Sequence, residues 1–240
     1  MFRSTRVMLR FASLGSGSRG NATLIQTGDA LVLVDCGFAA RELERRCRQI
    51  GIEAGDIDAL VVTHEHGDHL RGVGAVARRF RIPVWMTHGT WHAAGGMQLP
   101  ELRLLDGSGE GFAVNGLCVE AFPVPHDAAE PVQLVLRAGG RSLGLLTDTG
   151  SLTPHILASL DGVDALLLEA NHDPEMLAAG PYPPVLQARV GGAFGHLSNA
   201  QAAAVLAAID HVRLGHLVVG HISAKNNRPE LVRDALAAVA

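Results

Sequence analysis

The segment Leu60-Val61-Val62-Thr63-His64-Glu65-His66-Gly67-Asp68-His69-Leu70 places four potential metal ligands, His64, His66, Asp68 and His69, within six positions directly after an apolar run. Zinc accepts imidazole and carboxylate ligands, and a tight turn after a buried strand can aim alternate side chains at one point. On this spacing His64 and His66 can share one ion, leaving Asp68 and His69 for a second beside it. Three imidazoles and a carboxylate this close are costly to bury without a cation, which argues against an ordinary polar loop. Further donors stand at the ends of other apolar runs: His126 after 118–125, Asp148 after 143–147 and His221 after 217–220. Taken singly, each would more often be a satisfied loop residue than a ligand.

Such donors need strands to carry them. Short Val- and Leu-rich runs alternate with helical patterns and are separated by Gly or Pro turns, so the class is α/β or mixed. Strands are expected at 10–14, 23–27, 30–35, 59–63, 84–86, 117–123, 132–137, 142–147, 165–169 and 217–219, and helices at 39–50, 69–80, 199–209 and 229–239. In the first helix Glu42 lies four residues before Arg46, a supporting pair, and Gly51 reads as a C-cap; Ser198 and Asn199 supply an N-cap further on. Pro181-Tyr182-Pro183-Pro184 reads as a loop rather than a linker. No repeat or boundary divides the chain, so 8–240 is expected to be one domain. The basic stretch 1–7 lacks the apolar core of a secretory signal and is expected to be disordered.

Composition narrows the classes. The chain has 240 residues with Lys+Arg 20 against Asp+Glu 24, a formal charge of −4, and its 48% hydrophobic and 18% charged content excludes a disordered chain. At this length roughly 70–75% of the unfolded surface can be buried, so a metal is not needed to hold the fold and fits catalysis better. Three cysteines, Cys36, Cys47 and Cys118, without CxxC spacing, argue against a disulfide framework and for a reducing, cytoplasmic setting. No apolar run approaches the ~18 residues of a membrane span. A pI near 6.3 makes no global electrostatic case for nucleic acid.

The order HxHxDH, later His126, later Asp148 and final His221 resembles the metallo-β-lactamase fold superfamily. That resemblance implies a four-layer αββα sandwich. It also implies that His64, His66 and His126 hold one ion and Asp68, His69 and His221 the other, with Asp148 bridging. A narrower resemblance spans nearly the whole chain. Ser13-Leu14-Gly15-Ser16-Gly17-Ser18, Val34-Asp35-Cys36-Gly37, His126-Asp127-Ala128, Glu169-Ala170-Asn171-His172-Asp173, Gly195-His196-Leu197-Ser198-Asn199 and His221-Ile222-Ser223-Ala224-Lys225-Asn226-Asn227 are similar to the YycJ/WalJ-type branch. The branch implies 5′-to-3′ DNA exonuclease activity, with transfer RNA 3′-processing nucleases as relatives. The loop after Tyr182-Pro183 departs from the branch pattern of one aromatic and two basic residues: it has Pro184, Gln187 and Ala188 and keeps only Arg189, which leaves fewer phosphate contacts.

Roles follow from that resemblance together with residue chemistry. Asp35, ending a buried strand, is expected to orient the metal loop through hydrogen bonds. His196 is expected to donate a proton, oriented by Glu169, and Asp68 to accept one from the attacking water. Ser16, Ser18, His172, Ser223, Asn226 and Asn227 are weaker candidates for substrate contact. His88, His92, His155, His211 and His216 lack motif context. The expected cofactor is a pair of divalent ions, zinc first, with manganese or iron also compatible with the donors. Two such ions would lower the pKa of a bridging water toward ~7, so that it is hydroxide at neutral pH. The expected substrate is nucleic acid, DNA before RNA. The alternative is a small-molecule hydrolase acting on a cyclic phosphodiester, thioester or lactone. A non-catalytic metal-bound interaction module is a third reading, disfavoured because no ligand is missing.

Overall fold

A computed structural model describes residues 8–106 and 111–239, so the 1–7 stretch lies outside the described residues. The strands are β1 Arg10–Gly15, β2 Ala22–Gln26, β3 Leu31–Val34, β4 Ala59–Val61, β5 Val84–Thr87, β6 Leu102–Leu105, β7 Phe112–Val114, β8 Leu117–Pro123, β9 Val132–Ala138, β10 Arg141–Leu146, β11 Ala165–Glu169 and β12 His216–Gly220. Six form one sheet in the order β1-β2-β3-β4-β5-β6, and six form another in the order β12-β11-β10-β9-β8-β7. The helices are α1 Ala40–Gln49, α2 Gly67–Leu70, α3 Val73–Phe80, α4 His88–Ala93, α5 Pro154–Leu160, α6 Pro174–Ala179, α7 Pro184–Val190, α8 Asn199–Ala208 and α9 Pro229–Ala237.

Alternation along the strands explains the layering, because successive side chains of a strand point to opposite faces. In β3, Leu33 joins a cluster with Leu43 and Cys47 of α1 and Val73 and Val76 of α3, whereas Val32 and Val34 join Leu134, Leu136 and Leu143 of the other sheet. In β11, Leu167 enters that same inter-sheet cluster, while Leu166 and Leu168 join Ile156, Ala202, Val205 and Val232 from α5, α8 and α9. Three apolar interfaces thus separate four layers, helices over sheet over sheet over helices. This is the expected αββα sandwich.

The chain direction gathers the candidate residues at one end. β3, β4, β5 and β6 run parallel, as do β10, β11 and β12. Asp35 follows β3, the His64–His69 loop follows β4, Asp148 follows β10, Glu169 closes β11 and His221 follows β12. Asp35, Asp148 and His221 all have left-handed backbones, with φ of 58°, 54° and 54°. Non-glycine residues rarely adopt this conformation, and it persists only where the surroundings fix it.

Several elements depart from expectation. The helix expected at 69–80 is two, α2 and α3, broken at Arg71-Gly72. Gly72 donates its N–H to Cys36 O at 2.8 Å, and a Cβ at Gly72 would lie 1.8 Å from Phe38 O, so the chain passes too close to the loop after β3 for any other residue. Gly37 is pinned in the same way, since a Cβ there would meet Asp68 O at 1.9 Å. Strand β4 stops at Val61 rather than residue 63, and Thr63 N donates to the Asp35 side chain instead of a neighbouring strand. The edge strands β6 and β7 and the helices α4 to α7 were not expected. Pro184, read as loop, is the first residue of α7, where proline's fixed φ and missing N–H are tolerated.

Candidate metal centre

The loop after β4 is shaped from below by Asp35. Its Oδ1 accepts from Thr63 N at 2.8 Å, and its Oδ2 accepts from Thr63 Oγ1 at 2.9 Å and from His69 Nδ1 at 2.8 Å. Thr63 Oγ1 also lies 3.0 Å from His64 Nδ1. One buried carboxylate therefore fixes the turn and the ring of His69. On the other sheet Glu169, with no exposed surface, does the same work: its Oε1 lies 2.8 Å from both His196 Nδ1 and His221 Nδ1, and its Oε2 accepts from Thr149 N and Leu197 N. His126 is anchored through Nδ1 on Gly195 O at 3.0 Å. Anchoring one ring nitrogen fixes the tautomer and leaves the other for a metal.

The structure brings all seven expected ligands together. Donor atoms of His64, His66 and His126 lie within 4.8 Å of one another, as do those of Asp68, His69 and His221, and those of His64, His69 and Asp148. Asp148, Glu169, His196 and His221 form a further such group. Among the described residues one buried atom at the centre, His64 Nε2, has no hydrogen-bond partner, and Asp148 Oδ2 is met by His69 Nε2 at 3.2 Å. An orphaned buried atom of this kind is costly unless something else satisfies it. A cation coordinated by nitrogen and oxygen fits it, so the donor set suits a divalent ion.

The electrostatics agree. Burial, reinforced by the neighbouring His69, holds the His64 imidazole well below its ordinary pKa, in the neutral form a ligand needs. Burial is the largest single influence on His69 and His221 and works against the charged form, yet Asp148 and Asp35 together outweigh it at His69, and Asp148, Asp68 and Glu169 together at His221, so both rings are raised. The carboxylates attract positive charge to this point, and a divalent cation would compete with those protons for it. His196 is likewise raised, with Glu169 overcoming burial.

The centre opens into a cleft of about 400 Å³ lined by Ser18, His66, Asp68, Asp148, His196 and His221, with Tyr182, Leu186 and Arg189 on the far wall. Of the six candidate substrate contacts, Ser18 lines this cleft. Ser16 does not: its hydroxyl accepts from His221 N at 2.7 Å and so supports that strained residue. Ser223 accepts from Asn226 N at 3.2 Å within its own turn. Asn227 is buried and exchanges amide hydrogen bonds with Asn199 while donating to Ala170 O. His172 and Asn226 are buried beneath α6 and α7 and do not line the cleft.

Two contributors lay outside the expected set. Asn21 Nδ2 is 2.8 Å from His69 Nε2 and 3.2 Å from Asp68 Oδ2, while its Oδ1 accepts from Gly17 N. Only the β1–β2 hairpin brings it there, and no local motif marks it. Asp127 places Oδ1 3.5 Å from His126 Nε2 and 3.7 Å from His66 Nε2. Its place in the segment His126-Asp127-Ala128, already similar to the YycJ/WalJ-type branch, was the available signal.

Comparison with known proteins places this geometry. Residues 31–222 match the family model described as the Beta-lactamase superfamily domain. The chain is 34% identical over 234 residues to exodeoxyribonuclease YycJ of Bacillus anthracis, covering 96% of this chain and 89% of the relative. It is 32% identical to exodeoxyribonuclease WalJ of Streptococcus pneumoniae, covering 95% and 86%. Among solved structures, the metallo-beta-lactamase fold protein YhfI from Bacillus subtilis superposes with a TM-score of 0.75 at 15% identity, covering 96% of this chain and 92% of that one.

Proposed function

The chain belongs to the Beta-lactamase superfamily domain family, and from that premise we propose that it is a metal-dependent phosphodiesterase, a nuclease that shortens DNA from its 5′ end. The observation that carries this reading is the gathering of seven N and O donors beside a separate imidazole, His196, which shares the Glu169 carboxylate with one of them, His221. The names of the relatives at 34% and 32% identity supply the substrate class. His64, His66 and His126 would hold one divalent cation and Asp68, His69 and His221 a second, with Asp148 between them; zinc is the first choice, and manganese or iron suit the same donors. When bound, such cations acidify water toward a pKa of ~7 and offset charge on phosphoryl oxygens.

The chain's own residues supply the proton transfers. Asp68 lines the cleft and is kept ionised, since His221 and His69 overcome the effect of its partial burial, so it can take a proton from the attacking water. His196 also lines the cleft, with Nδ1 held by Glu169 and a raised affinity for a second proton. Its free Nε2 protonates the departing alkoxide, a poor leaving group when charged. Asp35 and Glu169 hold ring orientation throughout.

The test is digestion of end-labelled, 5′-phosphorylated single- and double-stranded oligonucleotides with added metal, beside a generic phosphodiester and a thioester. A ladder shortening from the 5′ end supports the reading. Turnover of only the small substrates supports the second reading, a small-molecule hydrolase, which is favoured by one observation: a single cation, Arg189, lines the cleft among the described residues.

A further inference from the structure

At the end of the second sheet away from the metal centre stand three arginines that the proposed chemistry does not use. β9 turns into β10 through Gly139-Gly140, with φ of 57° and 75°, as a two-residue hairpin that favours glycine at both places. β10 then carries the chain toward Asp148, so its six residues set the turn roughly 20 Å from the candidate ligands. The register pairs Arg137 with Ser142 and Arg141 with Ala138, so the two arginines flank the turn from opposite faces. Arg213, from the loop before β12, reaches the same turn and donates to Gly140 O at 3.2 Å. A cavity of about 390 Å³ opens there, lined by these arginines with Ala138, Ser142 and three glycines, and among the described residues none of its lining is acidic.

The charge of the arginines is only partly met. Arg141 Nη1 donates to Asp164 at 2.7 Å and Arg213 Nη2 at 2.9 and 3.0 Å, so two guanidiniums share one carboxylate. Ser142 donates to it through N and Oγ as well, which occupies its oxygens and leaves one positive charge over. Arg137 meets Glu120 through Nε alone. Among the described residues, Arg141 Nη2, Arg213 Nη1 and both terminal nitrogens of Arg137 make no hydrogen bond. Unused guanidinium edges suit phosphate, whose three oxygens can accept from several forks at once. A second cavity of about 370 Å³ shares Arg141, Ser142 and Arg213 with the first and adds an apolar wall of Met8, Leu9, Phe11 and Leu143.

We propose that this end of the sheet is a second binding site, separate from the metal centre, for the phosphate group of a small molecule, held by Arg141 and Arg213 with Arg137 beside them. The site stands whether or not the chain cleaves DNA. Isothermal titration calorimetry of the metal-loaded protein at fixed ionic strength tests it, with inorganic phosphate and deoxyadenosine 5′-monophosphate as probes and chloride as the control. One saturable event is expected with phosphate and to persist in His66→Ala, where binding through the metal centre is impaired. Arg213→Gln, folded by circular dichroism, should weaken that event on the order of tenfold, as for loss of a charged hydrogen bond. Should Arg213→Gln not fold, Arg137→Gln decides alone, because its partner Glu120 is partly exposed and Asp164 keeps all its donors; severalfold weakening is expected. Tighter binding of the nucleotide than of phosphate would mark an organic phosphate seated against the apolar wall, and equal binding would mark free phosphate. Loss of the event in His66→Ala would assign it to the metal centre and overturn the proposal. So would the absence of a saturable event, or parent-like affinity in both arginine variants, which would leave the arginines only the task of securing Asp164 and Glu120.

Discussion

Asp35 and Glu169 occupy corresponding places in the two sheets, each at the C-terminal end of a strand, buried, and bonded to the rings and backbone of the loops above. Their dependants differ. Asp35 holds Thr63 and one candidate ligand, His69, so it serves the metal loop alone. Glu169 holds a candidate ligand, His221, and also His196, which stands outside the proposed metal sets. On the proposed roles, Asp35 bears on metal binding alone, whereas Glu169 bears on metal binding through His221 and on proton transfer through His196. A third buried acid, Asp164, is instead paired with Arg141 and Arg213 and touches neither group.

The largest expected effect erases both halves at once: chelation, or His66→Ala, should reduce hydrolysis to the background of buffer. Undiminished turnover by well-dialysed His66→Ala protein would contradict the account. Next, the two carboxylates should separate. Asp35→Asn is expected to lower metal affinity by roughly 10–100-fold, the usual cost of losing a ligand's outer partner, and excess metal should restore its activity. Glu169→Gln is expected to lower kcat by about 10²-fold or more even at saturating metal, because His196 loses its anchor. Equal rescue of both variants by metal would abolish the distinction. Ser198→Ala removes the N-cap of α8, a box completed by Gln201, and should cost about 1 kcal/mol in a denaturant melt without changing metal affinity.

The last expected effect, on stability and not on catalysis, concerns Asp164. Burial alone would raise this carboxyl, but hydrogen bonds from Arg141, Arg213 and Ser142 lower it from 3.8 to about 2. Because the folded value is depressed, its stabilising contribution is complete above pH ~4 and disappears as pH falls toward 2. Asp164→Asn should therefore be less stable than the parent at neutral pH, with the gap closing in acid. A gap that persists unchanged at pH 2 would assign the loss to packing.

Much of the centre was legible in the chain because ligand chemistry is local. His64 to His69 follow a continuous apolar run, and His126, Asp148 and His221 each end another, so the strand ends could be recognised before the sheets were known. The four-layer arrangement came from resemblance, since periodicity does not report which faces meet. The edge strands β6 and β7 escaped notice because Leu102-Arg103-Leu104-Leu105 and Phe112-Ala113-Val114 are short and lack regular alternation. The break at Gly72 was hidden because it depends on the backbone of Cys36–Phe38, distant in sequence. Asn21 and the structural partner of Ser16 were unreadable for the same reason: His69 and the backbone of His221 are supplied only by the fold.

Metal stoichiometry is the most direct measurement of the central claim. Elemental analysis of purified protein after equilibration with zinc and removal of excess should find two ions per chain, falling in His66→Ala. A chain that retains none, while folded by circular dichroism, would contradict the account.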